Sequence, residues 1–373
     1  DEVFERITHP ALRRVIDVVL VFSGFAMGFV MLAGAGANLE QQFGLPAWAG
    51  SALCAVLVIL TAFLDFDRIM KVIGVFTPMI IVAITILTVY SLATPHPGVA
   101  ELNAAATQVT PALPNLWLST INYFALCVVG GIAMAFVLGG SVLRIGEARR
   151  AGRVGGIIIA LVVGADALAL YLNLDRVWDV NVPALEIARS IHPAFAFAYT
   201  LIIFALIYNT VFSLFYSTAR RFSGGSTTRM RLVLVGVVAL GYAASFMGFK
   251  KLVGAMYPII GYLGIALLGV LVLGWIRQRS SVAREENLRR KLIRLLVRKH
   301  ADELEYTDEH RAQARTLARA SVVNGVELRR DAGSIAEEIV VTQDDAAAYV
   351  SAALPVDEAL VAEAIQEGDR VST

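Results

Sequence analysis

The residues best placed to do chemistry lie inside long apolar stretches. Asp166 stands alone in Leu161–Val–Val–Gly–Ala–Asp166–Ala–Leu–Ala–Leu170. An ionisable group so deep in an apolar run is costly in lipid, so it should face a partner or a water-filled cavity. Proton coupling is the chemistry such a carboxyl would support, and local hydrogen bonding near the outer end of the span is the plainer alternative. Further along, Asn209, Ser213, Tyr216 and Ser217 fall at i, i+4, i+7 and i+8 on one helical face, with Tyr208 and Thr210 beside them. Amide and hydroxyl oxygens suit Na⁺ or a polar solute, and the same residue types also serve hydrogen bonds between membrane helices. Paired glycines stand near the middle and end of another run, Gly130–Gly131 and Gly139–Gly140. Such pairs weaken a helix, and broken helices expose backbone groups to ions and solutes in many transporters. Close packing through small residues is the competing reading. Tyr257–Pro258–Ile–Ile–Gly261–Tyr262 places a proline between two tyrosines. The proline removes a backbone bond and favours a kink, which would suit a gate; an interfacial aromatic belt explains the tyrosines equally well.

Other features read as structure. Ser23–Gly24 to Gly28 and Ala33–Gly34–Ala35–Gly36–Ala37 form a small-residue packing face, with Asn38 and Glu40 following at the outer mouth as a helix end or the lining of an entrance. His9, His96, His192, His300 and His310 lie in loops, near span ends or in the tail, without ligand spacing. Neither a phosphate loop, HExxH nor a nucleophile elbow occurs, so no enzymatic activity is expected and no cofactor beyond a coupling ion, Na⁺ or H⁺. Cys54 and Cys127 both fall in apolar stretches, which argues against a disulfide framework or a cysteine metal site.

The elements that carry these residues follow from composition. Of 373 residues 57% are hydrophobic and 17% charged, below the share of about 25% typical of soluble domains. The net charge of +1 offers nothing to a nucleic acid. A bilayer core of about 30 Å needs roughly 20 apolar residues in a helix. About eight stretches approach this: 15–37, 47–64, 73–93, 116–142, 154–174, 194–219, 232–249 and 252–276. They are too long and too uniform for barrel strands, so the fold class is an all-α integral membrane protein.

Orientation follows from the short loops. Arg13 and Arg14, Arg68 and Lys71, Arg144 with Arg149, Arg150 and Arg153, Arg220 with Arg221, Arg229 and Arg231, and Arg277 with Arg279 share one side, expected to be cytoplasmic. The loop 95–115 has no Lys or Arg, and Lys250–Lys251 is the one dissent. Residues 1–277 form the expected transmembrane helical domain, with both termini cytoplasmic. Residues 278–330 form a basic helical segment and 331–373 an acidic tail. In Arg284–Lys299 the apolar Leu288, Leu292, Leu295 and Leu296 share one face amid basic residues. Such a helix lies on anionic lipid headgroups or packs as an ordinary protein helix.

Several segments together resemble one family. Val30–Met–Leu–Ala–Gly34–Ala–Gly36–Ala–Asn–Leu–Glu40–Gln–Gln–Phe–Gly44 resembles the third helix of the YkvI-like bacterial membrane proteins. Lys71–Val–Ile–Gly–Val–Phe–Thr–Pro78 resembles the start of their fifth, Tyr208–Asn–Thr–Val–Phe–Ser–Leu–Phe–Tyr216 their eighth, and Lys251–Leu–Val–Gly–Ala–Met–Tyr257–Pro258–Ile–Ile–Gly261–Tyr262 their tenth. The resemblance covers about residues 15–276 and is most specific in the last motif. That family is similar to the amino acid–polyamine–organocation transporters, which have the LeuT fold of two inverted five-helix repeats. The resemblance therefore implies alternating access, with substrate held between broken first and sixth helices and a cation held by the first and eighth. It makes Tyr123, Cys127, Gly130 and Gly131 candidates for the substrate, with Gly130 and Gly131 at the break. Cys127 stands where that pattern leads one to expect a polar residue. It also makes Asn209, Thr210 and Ser213 candidates for the cation, beside Asp166 for coupling and Tyr257 and Tyr262 for a gate. The chain begins at Asp1 and matches helices three to ten, so two helices are expected upstream. The implied function is secondary transport of a small solute, an amino acid or related organic ion. A membrane scaffold or sensor acting through the tail is the alternative.

Overall fold

The computed structural model describes residues 10–63, 76–141, 145–301, 303–321, 325–342, 350 and 356–372; within the helices, the side chains of 10–13, 15, 132–141, 145–148, 278, 327, 342 and 367–372 lie outside the description. Lys71–Val75 of the fifth-helix motif, together with Arg68 and Arg144 of the basic loops, fall outside the described residues. Every described regular element is helical. The apolar stretches become α1 (Pro10–Phe43), α2 (Ala47–Thr61), α3 (Phe76–Ala93), α5 (Leu116–Ser141), α6 (Ile145–Leu172), α9 (Pro193–Phe222), α10 (Thr227–Ser245) and α11 (Phe249–His300). Six of these are long and apolar enough to cross a membrane, while Ala47–Thr61 and Leu116–Gly131 are shorter apolar segments. Short helices α4 (Val99–Ala106), α7 (Leu174–Val177) and α8 (Pro183–Ile191) join them. Leu53, Leu60, Ile157 and Leu161 are exposed on the outside of these helices, as a lipid-facing surface requires.

The chain divides into two compact units. The first comprises residues 14–133 and 155–268. Its centre is a seam between α1 and α9, which run antiparallel. Asp17 pairs with Arg221 at 2.9 Å, Gly24 lies against Leu214 and Thr218, Gly28 against Phe215, and Asn38 Nδ2 donates to Thr200 O at 3.0 Å. The small residues set this approach. A Cβ on Gly28 would fall 2.1 Å from the Phe215 ring, and one on Gly241 of α10 would fall 2.6 Å from its Cζ. Each seam helix turns back into a partner. Gly44, with φ of 70°, ends α1 before Pro46 and α2, and Gly224 and Gly225, with φ of 55° and 83°, end α9 before α10. Left-handed backbone of this kind favours glycine. Leu32, Val58, Phe212, Phe215, Leu234 and Val238 then share one core across α1, α2, α9 and α10.

On the other flank α8 packs Leu185, Ile187 and Ala188 against Ala83 and Leu87 of α3 and Tyr199 of α9. Pro183 opens α8, and His192 caps α9 by accepting from Ala194 N at 3.1 Å. Gln41 and Arg189 bind α8 to the end of α1: Gln41 exchanges hydrogen bonds with the Val182 backbone at 2.8 and 3.0 Å, and Arg189 donates to Gln41 O at 2.5 Å.

The second unit comprises residues 1–13, 134–154 and 269–373. Leu288, Leu292 and Leu296 at the end of α11 pack with Leu317 of α12 (Asp308–Ala320), Leu328 and Ile339 of α13 (Gly325–Thr342), and Val361 of α14 (Glu358–Ser372). This corrects the lipid-headgroup reading of Arg284–Lys299. The leucine stripe that would enter a bilayer surface is covered by protein, so the packed-helix alternative applies. Three of its basic neighbours are paired as well: Arg289 with Glu285 at 2.7 Å, Lys291 with Glu358 at 2.6 Å, and Arg290 with Glu286. Helix α13 runs across the expected boundary at 330/331, and α11 across that at 277/278.

Candidate functional site

The close approach of α5 and α11 positions the first set of candidates. A Cβ on Gly261 would lie 2.0 Å from Asn122 Oδ1, and one on Gly264 would lie 2.6 Å from Ala125 O. Only glycine admits α5 this near. Asn122 Nδ2 donates to Pro258 O at 3.0 Å, putting an amide at the turn where the proline lacks its own N–H. Around this contact Tyr123 and Cys127 are neighbours one turn apart on α5, and Tyr257 of α11 lies near both. Asp166 of α6 is within reach of Tyr123 and of the buried Tyr199 of α9.

Tyr123, Cys127 and Tyr257 thus lie near one another, Asp166 lies near Tyr123, and Tyr123 and Cys127 are exposed. These residues also share a level. At 1.5 Å per residue, Asp166, Tyr199, Tyr123 and Tyr257 each lie about 9–12 Å inside the Leu172, Pro193, Leu116 and Phe249 ends of their helices. A carboxyl with tyrosine hydroxyls of two other helices nearby can accept hydrogen bonds, exchange a proton, or hold a cationic or polar group.

Other candidates go elsewhere. The expected break at Gly130–Gly131 is corrected: α5 is continuous from Leu116 to Ser141. A glycine costs a helix about 1 kcal/mol, less than a backbone group left unsatisfied in lipid. Gly130 lies against Met27 of α1, and a Cβ there would stand 3.5 Å from its sulfur, whereas Gly131 is exposed to open space. Packing therefore describes Gly130. The tyrosine pair also separates. Five residues on from Tyr257, Tyr262 points to a different face and is 47% exposed.

On α9 the Thr210 hydroxyl donates back to Leu206 O at 2.9 Å, a local bond that uses its proton within the helix. Ser213 is half-buried. Asn209 Oδ1 is buried and accepts no hydrogen bond among the described residues. It is an acceptor suited to a cation or a donor group. The neighbouring Tyr208 hydroxyl is bonded to Thr61 of α2. Sequence reasoning passed over Asn122 and Tyr199. Asn122 carried a usable signal, a lone amide in an apolar run; Tyr199 carried none, being one aromatic among Phe195, Phe197 and Tyr199.

A set of apolar helices with a lipid-facing exterior defines a polytopic all-α membrane protein. The comparisons place it more closely. It is 25% identical over 263 residues to the uncharacterized membrane protein YkvI of Bacillus subtilis (strain 168), covering 69% of this chain and 73% of that protein. It is 24% identical over 273 residues to the uncharacterized protein YyaD of the same organism, covering 73% and 78%. The chain is a homologue of these two proteins, and the YkvI-like resemblance read from its motifs stands. No family model matches it, and no solved structure matches it.

Proposed function

We propose that this protein is a secondary transporter of a small solute, an amino acid or related organic ion, coupled to Na⁺ or H⁺ by alternating access. The observation that carries this reading is Asp166, a lone carboxyl about 9 Å inside the Leu172 end of the apolar helix α6, with Tyr123 of α5 and Tyr199 of α9 near it. Ionisable groups are retained at such depth where solutes, ions or protons pass. The antiparallel packing of hairpin α1–α2 against hairpin α9–α10 supports the inverted-repeat architecture that the LeuT-type resemblance implies. Asn209, with its unsatisfied acceptor, remains the best cation candidate on α9. The reading places the protein in a bacterial inner membrane with both termini in the cytoplasm, and it assigns no catalytic chemistry.

Reconstitution of the full-length protein tests this. Proteoliposomes with an imposed Na⁺ or H⁺ gradient should accumulate at least one solute from a broad panel of amino acids and organic ions above empty liposomes. Absence of gradient-dependent flux across the whole panel would refute it.

One observation favours a second reading: the C-terminal helices close their own apolar core, as a partner-binding domain would. A scaffold or sensor should lose its membrane partner when residues beyond Ser280 are deleted, whereas a transporter should keep its flux.

A further inference from the structure

The C-terminal end of α1, the start of α2 and the turn between α10 and α11 enclose a cavity of about 570 Å³. That volume lies within the range of about 300–1,000 Å³ of small-molecule sites. Ala33 and Ala37 form one apolar wall, Phe246 and Met247 another, and the charges are Glu40, Lys250 and Lys251. Lys250 is already neutralised, because its Nζ donates to Asp179 Oδ1 at 3.0 Å. Glu40 and Lys251 have no ion-pair partner among the described residues, and both are exposed. The cavity therefore offers one free anion, one free cation and an apolar lining.

Both free charges stand where helix electrostatics disfavours them. Glu40 lies in the last turn of α1, at the partially negative end, and Lys251 lies in the first turn of α11, at the partially positive end. Each would stabilise its helix better with the opposite sign. A bound ligand reverses the argument. An ammonium at Glu40 also lies at the partially negative end of α1, whose Glu40 and Gln41 carbonyls are bonded to Gly44 N and Arg189, and a carboxylate at Lys251 also lies at the partially positive end of α11. The same placement accounts for Lys250 and Lys251 as the one basic pair that departs from the loop pattern.

We propose that this cavity is a vestibule for a zwitterionic solute of the α-amino acid class, its carboxylate towards Lys251 and its ammonium towards Glu40. As a capture site on the outer face it rests on the transport reading; as a binding site it does not.

Trp48 lines the cavity and supplies a signal independent of flux. The full-length protein in nanodiscs is titrated with L-leucine, glycine, L-glutamine and betaine, and then with 4-methylpentanoate and 3-methylbutylamine, which each keep one charge of leucine. At least one zwitterion should change the fluorescence saturably, and W48F should abolish that change. For leucine, both half-analogues should bind at least tenfold more weakly. E40Q and K251Q, checked for unchanged elution and melting, should each weaken zwitterion binding at least tenfold. No saturable response to any zwitterion, equal binding of the half-analogues, or unchanged affinity in both variants would overturn the site. Uptake measured in parallel separates the two readings. Flux that is indifferent to E40Q and K251Q removes the vestibule and leaves the transporter; zwitterion-selective binding without flux does the reverse.

Discussion

Asp166 offers the sharpest question at the scale of single residues, because its neighbours can be satisfied in two ways. If it only accepts local hydrogen bonds, an amide of the same shape can replace it. If its charge holds a cation or carries a proton, it cannot. Asp166→Asn is therefore expected to fold normally, with unchanged elution and melting temperature in detergent, yet to reduce solute uptake at least tenfold and flatten its pH profile. Uptake near the wild-type rate would leave Asp166 a structural role only. Phe215 poses a packing question of the same size. Its ring is held between Gly28 and Gly241, so Gly28→Ala forces a methyl to within 2.1 Å of it. Overpacking of this sort costs about 1–3 kcal/mol. The expected outcome is a lower melting temperature for Gly28→Ala and partial recovery in Gly28→Ala/Phe215→Leu, since contacting sites are not additive. Equal destabilisation in the single and double variants would show that the seam relaxes elsewhere.

Between neighbouring elements, the same sequence signal served several structures. The apolar runs were legible, because lipid leaves a long apolar segment little choice but a helix whose bonds are all internal. What a glycine does inside such a run was not legible. Gly130 packs, Gly131 faces open space, Gly261 and Gly264 admit a neighbouring helix, and none of these roles leaves a mark in the local pattern. The leucine stripe of Arg284–Lys299 was ambiguous for a related reason. A basic amphipathic helix looks alike whether lipid or protein covers its apolar face, and here α12, α13 and α14 cover it. That placement has a measurable consequence. Leu292 is fully buried, and Leu292→Ala is expected to cost about 2–5 kcal/mol of the C-terminal core. Limited proteolysis should then cut more readily beyond residue 300, while the exposed control Val326→Ala behaves as wild type. Equal resistance of both variants would mean that the core tolerates the cavity.

For the molecule as a whole, the candidate site was legible in parts and not as an assembly. Asp166, Tyr123, Cys127 and Tyr257 were singled out one by one, but their meeting depends on helix order in space, and short-range periodicity carries no information about that. Helix order also bears on how the protein would move. Alternating access rocks one group of helices against another around a fixed site. The seam of α1 with α9 is close-packed along its length and is pinned by Asp17–Arg221 and Asn38–Thr200, the features of a frame. Gly130 of α5 meets Met27 of α1 more loosely, a Cβ there standing 3.5 Å from the Met27 sulfur, as expected where a moving helix meets a fixed one. The exposed ion pair adds less than about 1 kcal/mol, so replacing it does little by itself. In a background where Cys54 and Cys127 are replaced by Ala and Ser, Asp17→Cys/Arg221→Cys joined by a short thiol cross-linker should keep most of its uptake. Met27→Cys/Gly130→Cys joined in the same way should lose it, and reduction should restore it. Full uptake with α5 tied to α1 would exclude motion between them. Loss of uptake with α1 tied to α9 would place the moving boundary within the seam.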